Sequence, residues 1–448
     1  MDSLILYEEE FLAKDTPKTY RNLNIYQVYV RNHGPNGTFA DVEADLPRIR
    51  DLGFDIVYFL PIHPIGKLNK KGSLGCPFSI VDYEDVNPQY GTKEDFGRLI
   101  TRAHALDLKV MIDVVYNHTA HDSRLVDEHP NWFHQNEDGE PVTTVPDWSD
   151  VIDLKHPNPE LSDYLIGVLR GWAKFGVDGF RCDVASLLPA EFWIHARQEV
   201  AKVKPNVIWM AESVHTSFVV SRRTNNLNAL SDGQLYPAFD ILYDYDIWPI
   251  WEKAVSGELP VSRYLEMLYL QEGAYPENYV KMRCVENHDQ PRIMARAPSR
   301  AQALAWTALI AFNKGPFFVY AGQEAAETKT PSLFDIDKVF WGTYELSDFI
   351  RSLTRLKKDP AQMYGKLIFT ASRPAVQAVW YTPETSLFGV FNVSSQKGKV
   401  SVLVPDGVYV NLLDNQNVKV SAGKMLIPPS AVVLQYPSGG CPQPVNSF

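Results

Sequence analysis

The chain has 448 residues, 45% of them hydrophobic and 22% charged. That is ordinary for a folded globular protein and enough for one large domain plus a smaller one. A formal net charge of −11 argues against nucleic acid as a partner, because phosphate binding rests on Lys and Arg. No fixed-period repeat is visible, which removes solenoids and propellers, and no stretch approaches a membrane span.

The N-terminal run MDSLILYEEEFLAKD lacks the basic flank and long apolar core of an export signal. A cytoplasmic protein is the expectation, with an extracellular protein shorn of its leader as the alternative. The four cysteines, Cys76, Cys182, Cys284 and Cys441, have no CxxC spacing and read as neither a zinc site nor a disulfide framework. Cys182 and Cys284 sit in apolar runs and read as small core residues.

In chain order, NIYQVYV (24–30) and DIVYFLPI (55–62) read as strands with the helix FADVEADLPRIRDLG between them. EDFGRLITRAHALDL is a helix, KVMIDVVYNH a strand, ELSDYLIGVLRGWAKFG a helix and VDGFRCDV a strand. PAEFWIHARQEVAKV and NVIWMAES continue the alternation. PAFDILYD, YVKMRCVENHD and GPFFVYAGQE supply three further strands, with VSRYLEMLYLQ and RAQALAWTALIAFN as helices between them. Strands alternating with helices imply a parallel sheet, and eight such units suggest closure into a (β/α)8 TIM barrel. The doubly wound alternative needs a Gly-rich turn after its first strand, and RNHGPNGTF is not one.

The connection over 118–158 is too long for a simple loop. Its Trp and Phe content argues against disorder, and long insertions are commonly functional, so it reads as a lid subdomain. After 360 the texture changes to short alternating runs with turn signals, such as AVQAVWYT and LFGVFNVS. That pattern is an antiparallel β-sandwich. The predicted organisation is a barrel over 1–360 with the lid at 118–158, a sandwich over 361–437, and a loose tail over 438–448.

Charges gather at the strand ends: Asp113, Asn117 and His118 on the third strand, Arg181 and Asp183 on the fourth, Glu212 on the fifth. Glu286, Asn287, His288 and Asp289 follow on the seventh. Any one acidic residue after a strand is more often a turn former or helix cap than a catalyst. In a βα barrel, however, all C-terminal strand ends point to one face, where active sites sit. Several carboxyls without a nucleophilic Ser or Cys suit glycoside hydrolysis, which needs a carboxylate and a carboxylic acid flanking the scissile bond. Arg181 and Asp183, two apart on a strand, share a face, so the guanidinium should keep Asp183 ionised, as a nucleophile requires. Glu212 follows the apolar IWMA with no cation nearby in sequence, so desolvation should raise its pKa, as a general acid requires. Asp289 could stabilise positive charge on the sugar. Spacings of transition-metal sites are missing.

These motifs resemble the α-amylase family of retaining glycoside hydrolases, family thirteen. DVVYNH (113–118), GFRCDVAS (179–186), WMAES (209–213), VENHDQPR (285–292) and GPFFVYAGQE (315–324) resemble its motifs at strands three, four, five, seven and eight. The resemblance implies Asp183 as nucleophile, Glu212 as acid/base and Asp289 as transition-state stabiliser. Arg181 would hold Asp183, and His118 and His288 would bind the sugar beside the cut. Phe78, in CPFSIVDY, stands where the family usually stacks a Tyr on that sugar. No cofactor is implied as required. A structural Ca2+ is an open option: Asn117 and Asp153 match two ligand positions, but Leu187 stands where calcium-binding relatives place a His. Val184 after the nucleophile resembles both α-1,6- and α-1,4-cleaving members. The expected activity is retaining hydrolysis of α-1,4 bonds in malto-oligosaccharides or related α-glucans. The alternatives are a 4-α-glucanotransferase or α-1,6-glucosidase using the same site, and a non-catalytic glucan-binding relative. Oligomeric state is unknown.

Overall fold

The structure is a computed structural model that describes Ala13 and residues 16–439; the readings of the N-terminal run, of Cys441 and of most of the tail lie outside the described residues. Eight parallel strands run β1 (Asn24–Val28), β2 (Ile56–Phe59), β3 (Lys109–Val114), β4 (Gly179–Cys182), β5 (Ile208–Ala211), β6 (Ile241–Tyr243), β7 (Lys281–Met282) and β8 (Phe317–Tyr320). They pair in the order β8-β1-β2-β3-β4-β5-β6-β7. A further bridge, Arg283 with Phe317, joins β7 to β8 and closes the ring. Nearly every strand residue is buried, as strands covered on both faces must be.

The helices are aimed by their caps. Thr38 and Thr92 form capping boxes with Asp41 and Asp95 ahead of Phe39–Asp51 and Lys93–Ala105, and Asn158 caps Pro159–Phe175. Such caps satisfy backbone N–H groups that a helix start leaves open. Each cap turns the chain back over the barrel, leaving the C-terminal strand ends clear to carry side chains into one pocket. Several helices escaped the sequence reading, the longest being Thr216–Thr224, Trp248–Ser256 and Ser347–Lys357. The seventh strand is shorter than its apolar run, because the chain beyond Arg283 leaves the ladder and carries residues 284–289 across the barrel mouth. No helix among the described residues is long and apolar enough to cross a membrane.

The inserted segment after β3 holds an antiparallel pair, His118–Ala120 with Val151–Asp153. The C-terminal part has a four-stranded antiparallel sheet (Lys366–Ala371, Val376–Tyr381, Thr385–Phe391, Ala431–Pro437) faced by two short antiparallel pairs, the hairpin Gly407–Val410 with Asn417–Val420 and the pair Lys399–Ser401 with Lys424–Leu426 that encloses it in sequence. Period-two alternation splits its side chains. Ala378, Trp380, Leu387, Phe391 and Val433 join the barrel core, while Val379, Phe388, Val390, Val432 and Leu434 build a second core under the two short pairs. The Trp380 indole donates to the Phe312 carbonyl at 2.6 Å, at the end of helix Arg300–Phe312. Trp380→Phe keeps most of the packing but leaves that carbonyl unpaired, so it should destabilise the protein by about 1–3 kcal/mol. A lowered urea midpoint would register it; an unchanged midpoint would show that the indole bond contributes nothing.

Candidate active site

The register of three neighbouring strands builds the centre of the site. Asp113 on β3 lies opposite Arg181 on β4, and Arg181 lies opposite Met210 on β5, two residues before Glu212. Arg181 has no solvent exposure. Its Nη1 donates to both oxygens of Asp113 at 2.8 and 3.0 Å and to Asp183 Oδ1 at 2.8 Å. Its Nη2 lies 3.0 Å from Glu212 Oε1, at an angle that makes this an ion contact rather than a hydrogen bond. Nε donates to the Tyr243 hydroxyl at 3.2 Å. The Tyr58 hydroxyl donates to Asp113 Oδ2 at 2.5 Å from below.

This geometry corrects the electrostatics expected from sequence. Glu212 does have a cation partner, and it is the same Arg181 that binds Asp183. Burial pushes Asp183 well up from the usual carboxylate range; Arg181 pulls against it, while Glu212, Asp113 and Asp289 push the same way. Asp113 rises to about 6 through burial, again opposed by Arg181. One guanidinium does not neutralise so many carboxyls.

Val184, directly after Asp183, has φ 36° and ψ 45°, the left-handed region that β-branched residues rarely enter. In that conformation its N–H donates to Glu212 Oε2 at 2.8 Å. Strain of this kind persists only where the surroundings over-determine it. Here the Val184 side chain is held among Leu187, Val214, Val219 and Ala229, with Trp148 of the lid against them.

A cavity of about 340 Å3 lies above these carboxyls, lined by residues including Phe78, His118, Trp148, Asp183, Val184, Glu212, His288 and Asp289. The Phe78 and His288 rings stack, centroids 5.3 Å apart. Gln27 Nε2 meets His288 Nδ1 at 2.9 Å; an amide donating there leaves the imidazole proton on Nε2, which lies 3.2 Å from Asp289 Oδ2. Burial pushes His288 down to about 3 and lowers His118, whose Nε2 is 3.9 Å from Asp183 Oδ2. Both imidazoles are therefore neutral near pH 7. Asp289 is the most open carboxyl, with 42% side-chain exposure. Its N–H donates to Asn287 Oδ1, and Asn287 donates to the Tyr245 hydroxyl. Glu286 is elsewhere: fully buried, it takes Arg292 Nη1 and the Ile293 N–H, each at 2.7 Å, and holds the loop. The sequence reading missed Trp148, Asp150, Lys71, Leu333 and Phe334 as pocket residues. Only the aromatic content of the lid pointed to any of them.

Comparison with known proteins bears on this arrangement. The α-amylase catalytic-domain model matches residues 6–148 and 145–364, and the bacterial α-amylase C-terminal domain model matches 369–434. An α-amylase from Lactobacillus plantarum superposes with TM-score 0.90 at 40% identity, over 94% of this chain and 100% of that one. The chain belongs to the α-amylase family. A maltogenic α-amylase from Thermotoga neapolitana superposes with TM-score 0.82 at 32% identity, covering 93% of this chain and 99% of that one. The α-1,4-glucan:maltose-1-phosphate maltosyltransferase of Cereibacter sphaeroides is 37% identical over 224 residues, 46% of this chain and 37% of that protein. The chain thus matches little more than a third of that curated relative's length.

In this α-amylase-family chain the residues matched to calcium do not fit the ion. Ca2+ takes about 6–8 oxygen ligands with their lone pairs free. The Asp153 carboxylate already accepts from Thr143 Oγ1 at 3.2 Å and from Thr144 N and Oγ1 at 2.8 and 2.5 Å. Arg222 donates to Thr144 Oγ1 at 2.6 Å, placing a cation beside that carboxylate. The Asn117 amide faces His118 Nδ1 at 3.3 Å, and Leu187 packs in the apolar cluster that ties the lid to the barrel. EDTA should therefore leave the melting temperature unchanged; a fall of several degrees would reinstate a metal. In histidine-labelled protein, the His288 resonances should titrate near pH 3 and stay flat from pH 5 to 8. A midpoint near 6.5 would mean that the ring is solvated.

Proposed function

We propose that this α-amylase-family protein is a retaining glycosidase that cleaves α-1,4 bonds in malto-oligosaccharides or related α-glucans. The observation that carries the reading is the Arg181 fork, which holds Asp183 on one nitrogen and Glu212 on the other at the floor of the pocket. Carboxylates sharing one guanidinium are close neighbours. Retaining enzymes keep theirs about 5–5.5 Å apart, whereas inverting ones leave a wider gap for a water.

Asp183 attacks the anomeric carbon while Glu212 protonates the departing glycosidic oxygen. Glu212 then takes a proton from the incoming hydroxyl, which releases the sugar from Asp183 with its original anomeric configuration. Positive charge on the ring at each transition state favours ionised Asp183 and faces Asp289 across the cavity. Arg181 and His118 flank the nucleophile. Neutral His288 can donate from Nε2 to a sugar hydroxyl, and Phe78 offers an apolar ring to a sugar face.

Transfer to a sugar acceptor would use the same intermediate, with a sugar hydroxyl replacing water. The maltosyltransferase name of one relative supports that second reading. A time course on maltopentaose and isomaltotriose separates the outcomes. Shorter products from maltopentaose, with the α anomer formed first, are expected; products longer than the substrate mean transfer. Cleavage of isomaltotriose alone would move the specificity to α-1,6 bonds, and an initial β anomer would refute retention. Asp183→Asn and Glu212→Gln should each lower turnover by about 10²–10⁴-fold or more with unchanged melting. Near-normal turnover in either would remove its assigned role.

A further inference from the structure

Three rim segments around the pocket fasten to one another in a row. The first, residues 66–76, follows β2; the second, residues 147–151, belongs to the lid; the third, residues 332–337, follows β8. Lys71 Nζ lies 2.8 Å from Asp150 Oδ1 and donates to the Asp147 carbonyl at 2.9 Å, tying the first to the second. Ser73 donates through N and Oγ to Asp335 Oδ1 at 2.8 and 2.6 Å, and the Leu74 N–H donates to the Phe334 carbonyl at 2.9 Å, tying the first to the third. Gly72, at φ +63°, lets the backbone pass so close that a Cβ there would come 2.5 Å from Phe334 Cβ. From below, Arg31 Nη1 donates to the carbonyls of Gly75 and Leu333 at 3.1 and 3.0 Å. Each segment contributes lining to the cavity: Lys71 and Cys76, Asp150 and Val151, Leu333 and Phe334.

The first segment runs directly into Phe78, whose ring stacks on His288. His118, 3.9 Å from Asp183, lines the pocket with Phe78 and Cys76, so in the proposed reaction this side receives the sugar that stays on Asp183, the non-reducing side of the cut. A cavity of about 340 Å3 is near the small end of ligand pockets, about 300–1,000 Å3. That holds a short run of sugar rings. His215 and Tyr245, stacked at 4.8 Å beyond Glu212, are outside this lining.

We infer that the fastened rim is an end wall behind the glycone, so that α-glucan chains enter non-reducing end first, and that the Lys71–Asp150 bridge sets how many sugar units fit behind the cut. The inference rests on the glycosidase reading above. It makes Lys71 and Asp150 specificity-determining residues for chain-end attack, without a part in the chemistry.

The test compares free maltoheptaose with maltoheptaose blocked at its non-reducing terminal glucose by a 4,6-acetal, and reads product sizes. The wild type should cleave the free sugar into products of one short size and leave the blocked one nearly intact. Lys71→Ala and Asp150→Ala should raise the blocked-to-free cleavage ratio roughly tenfold or more and lengthen the products. Lys71→Arg, which keeps the charge, should keep the wild-type pattern. If either opening variant fails to fold, Ser73→Ala loosens the other end of the wall and should shift the ratio the same way. Equal cleavage of both sugars by the wild type would overturn the wall, as would an unchanged ratio in folded opening variants. Cleavage of neither sugar by the wild type would instead remove the glycosidase reading, and the wall's role with it.

Discussion

A single guanidinium out of reach of water organises this site. Taking one ion out of water costs several kcal/mol unless its partners satisfy it. The charge of Arg181 is offset only because β3, β4 and the end of β5 each place a carboxyl around it. The planar fork of an arginine can hold three carboxyls at fixed angles, which a lysine ammonium could not. Its faces are used as well: it lies 5.2 Å from the Tyr243 ring centroid and 5.7 Å from that of Phe78. Barrel register and active-site geometry are thus the same constraint. A one-residue slip of β4 would turn Arg181 and Asp183 out toward the helices and leave Asp113 buried without its partner.

The arrangement is deliberately unbalanced in charge. Arg181 faces Asp113, Asp183 and Glu212, with Asp289 at the open edge. Burial together with repulsion among the carboxyls pushes Asp183 and Asp113 up. A pocket carrying excess negative charge is poorly satisfied when empty and better satisfied when a ring develops positive charge inside it. That difference between empty and transition state is what accelerates a reaction. Val184 contributes in the same direction. Its left-handed backbone is unfavourable in isolation, yet it aims an N–H at Glu212 and so fixes the carboxyl proposed as acid/base relative to Asp183, the proposed nucleophile, one residue away.

Much of this was legible in the sequence, for identifiable reasons. The barrel strands are apolar runs and the helices between them have caps and amphipathic faces, so both periods could be read. The Arg181–Asp183 pairing followed from alternation on one strand. What escaped were features whose partners are distant in sequence. Glu212 seemed remote from any cation because Arg181 is thirty-one positions away, although it stands on the neighbouring barrel strand. The helix Ser347–Lys357 buries Ile350, Leu353 and Leu356 between basic residues, a narrow stripe that sits just before the change of texture at 360. The strand Lys366–Ala371 is only half-buried, so its alternation is blunted. Lys71 stands in a Gly- and Lys-rich loop, GKLNKKGSLG, where nothing local shows that it crosses to the inserted segment.

The lid is fixed from two sides by different forces. Toward the barrel, Leu187 and Val184 meet Trp148 in an apolar cluster, and Arg222 reaches Thr144 beside Asp153. Apolar packing and hydrogen bonds therefore occupy the place where a bridging ion would act. Toward the rim, Lys71 holds Asp150. A partly exposed ion pair is screened by salt, whereas apolar contacts are unscreened and kosmotropic salts strengthen them, so the two attachments respond to salt in opposite directions. The barrel-side cluster also borders Glu212 through Val184 and Val214. That flank lies beside the carboxyl proposed as acid/base, separate from the rim inferred to confine the donor chain.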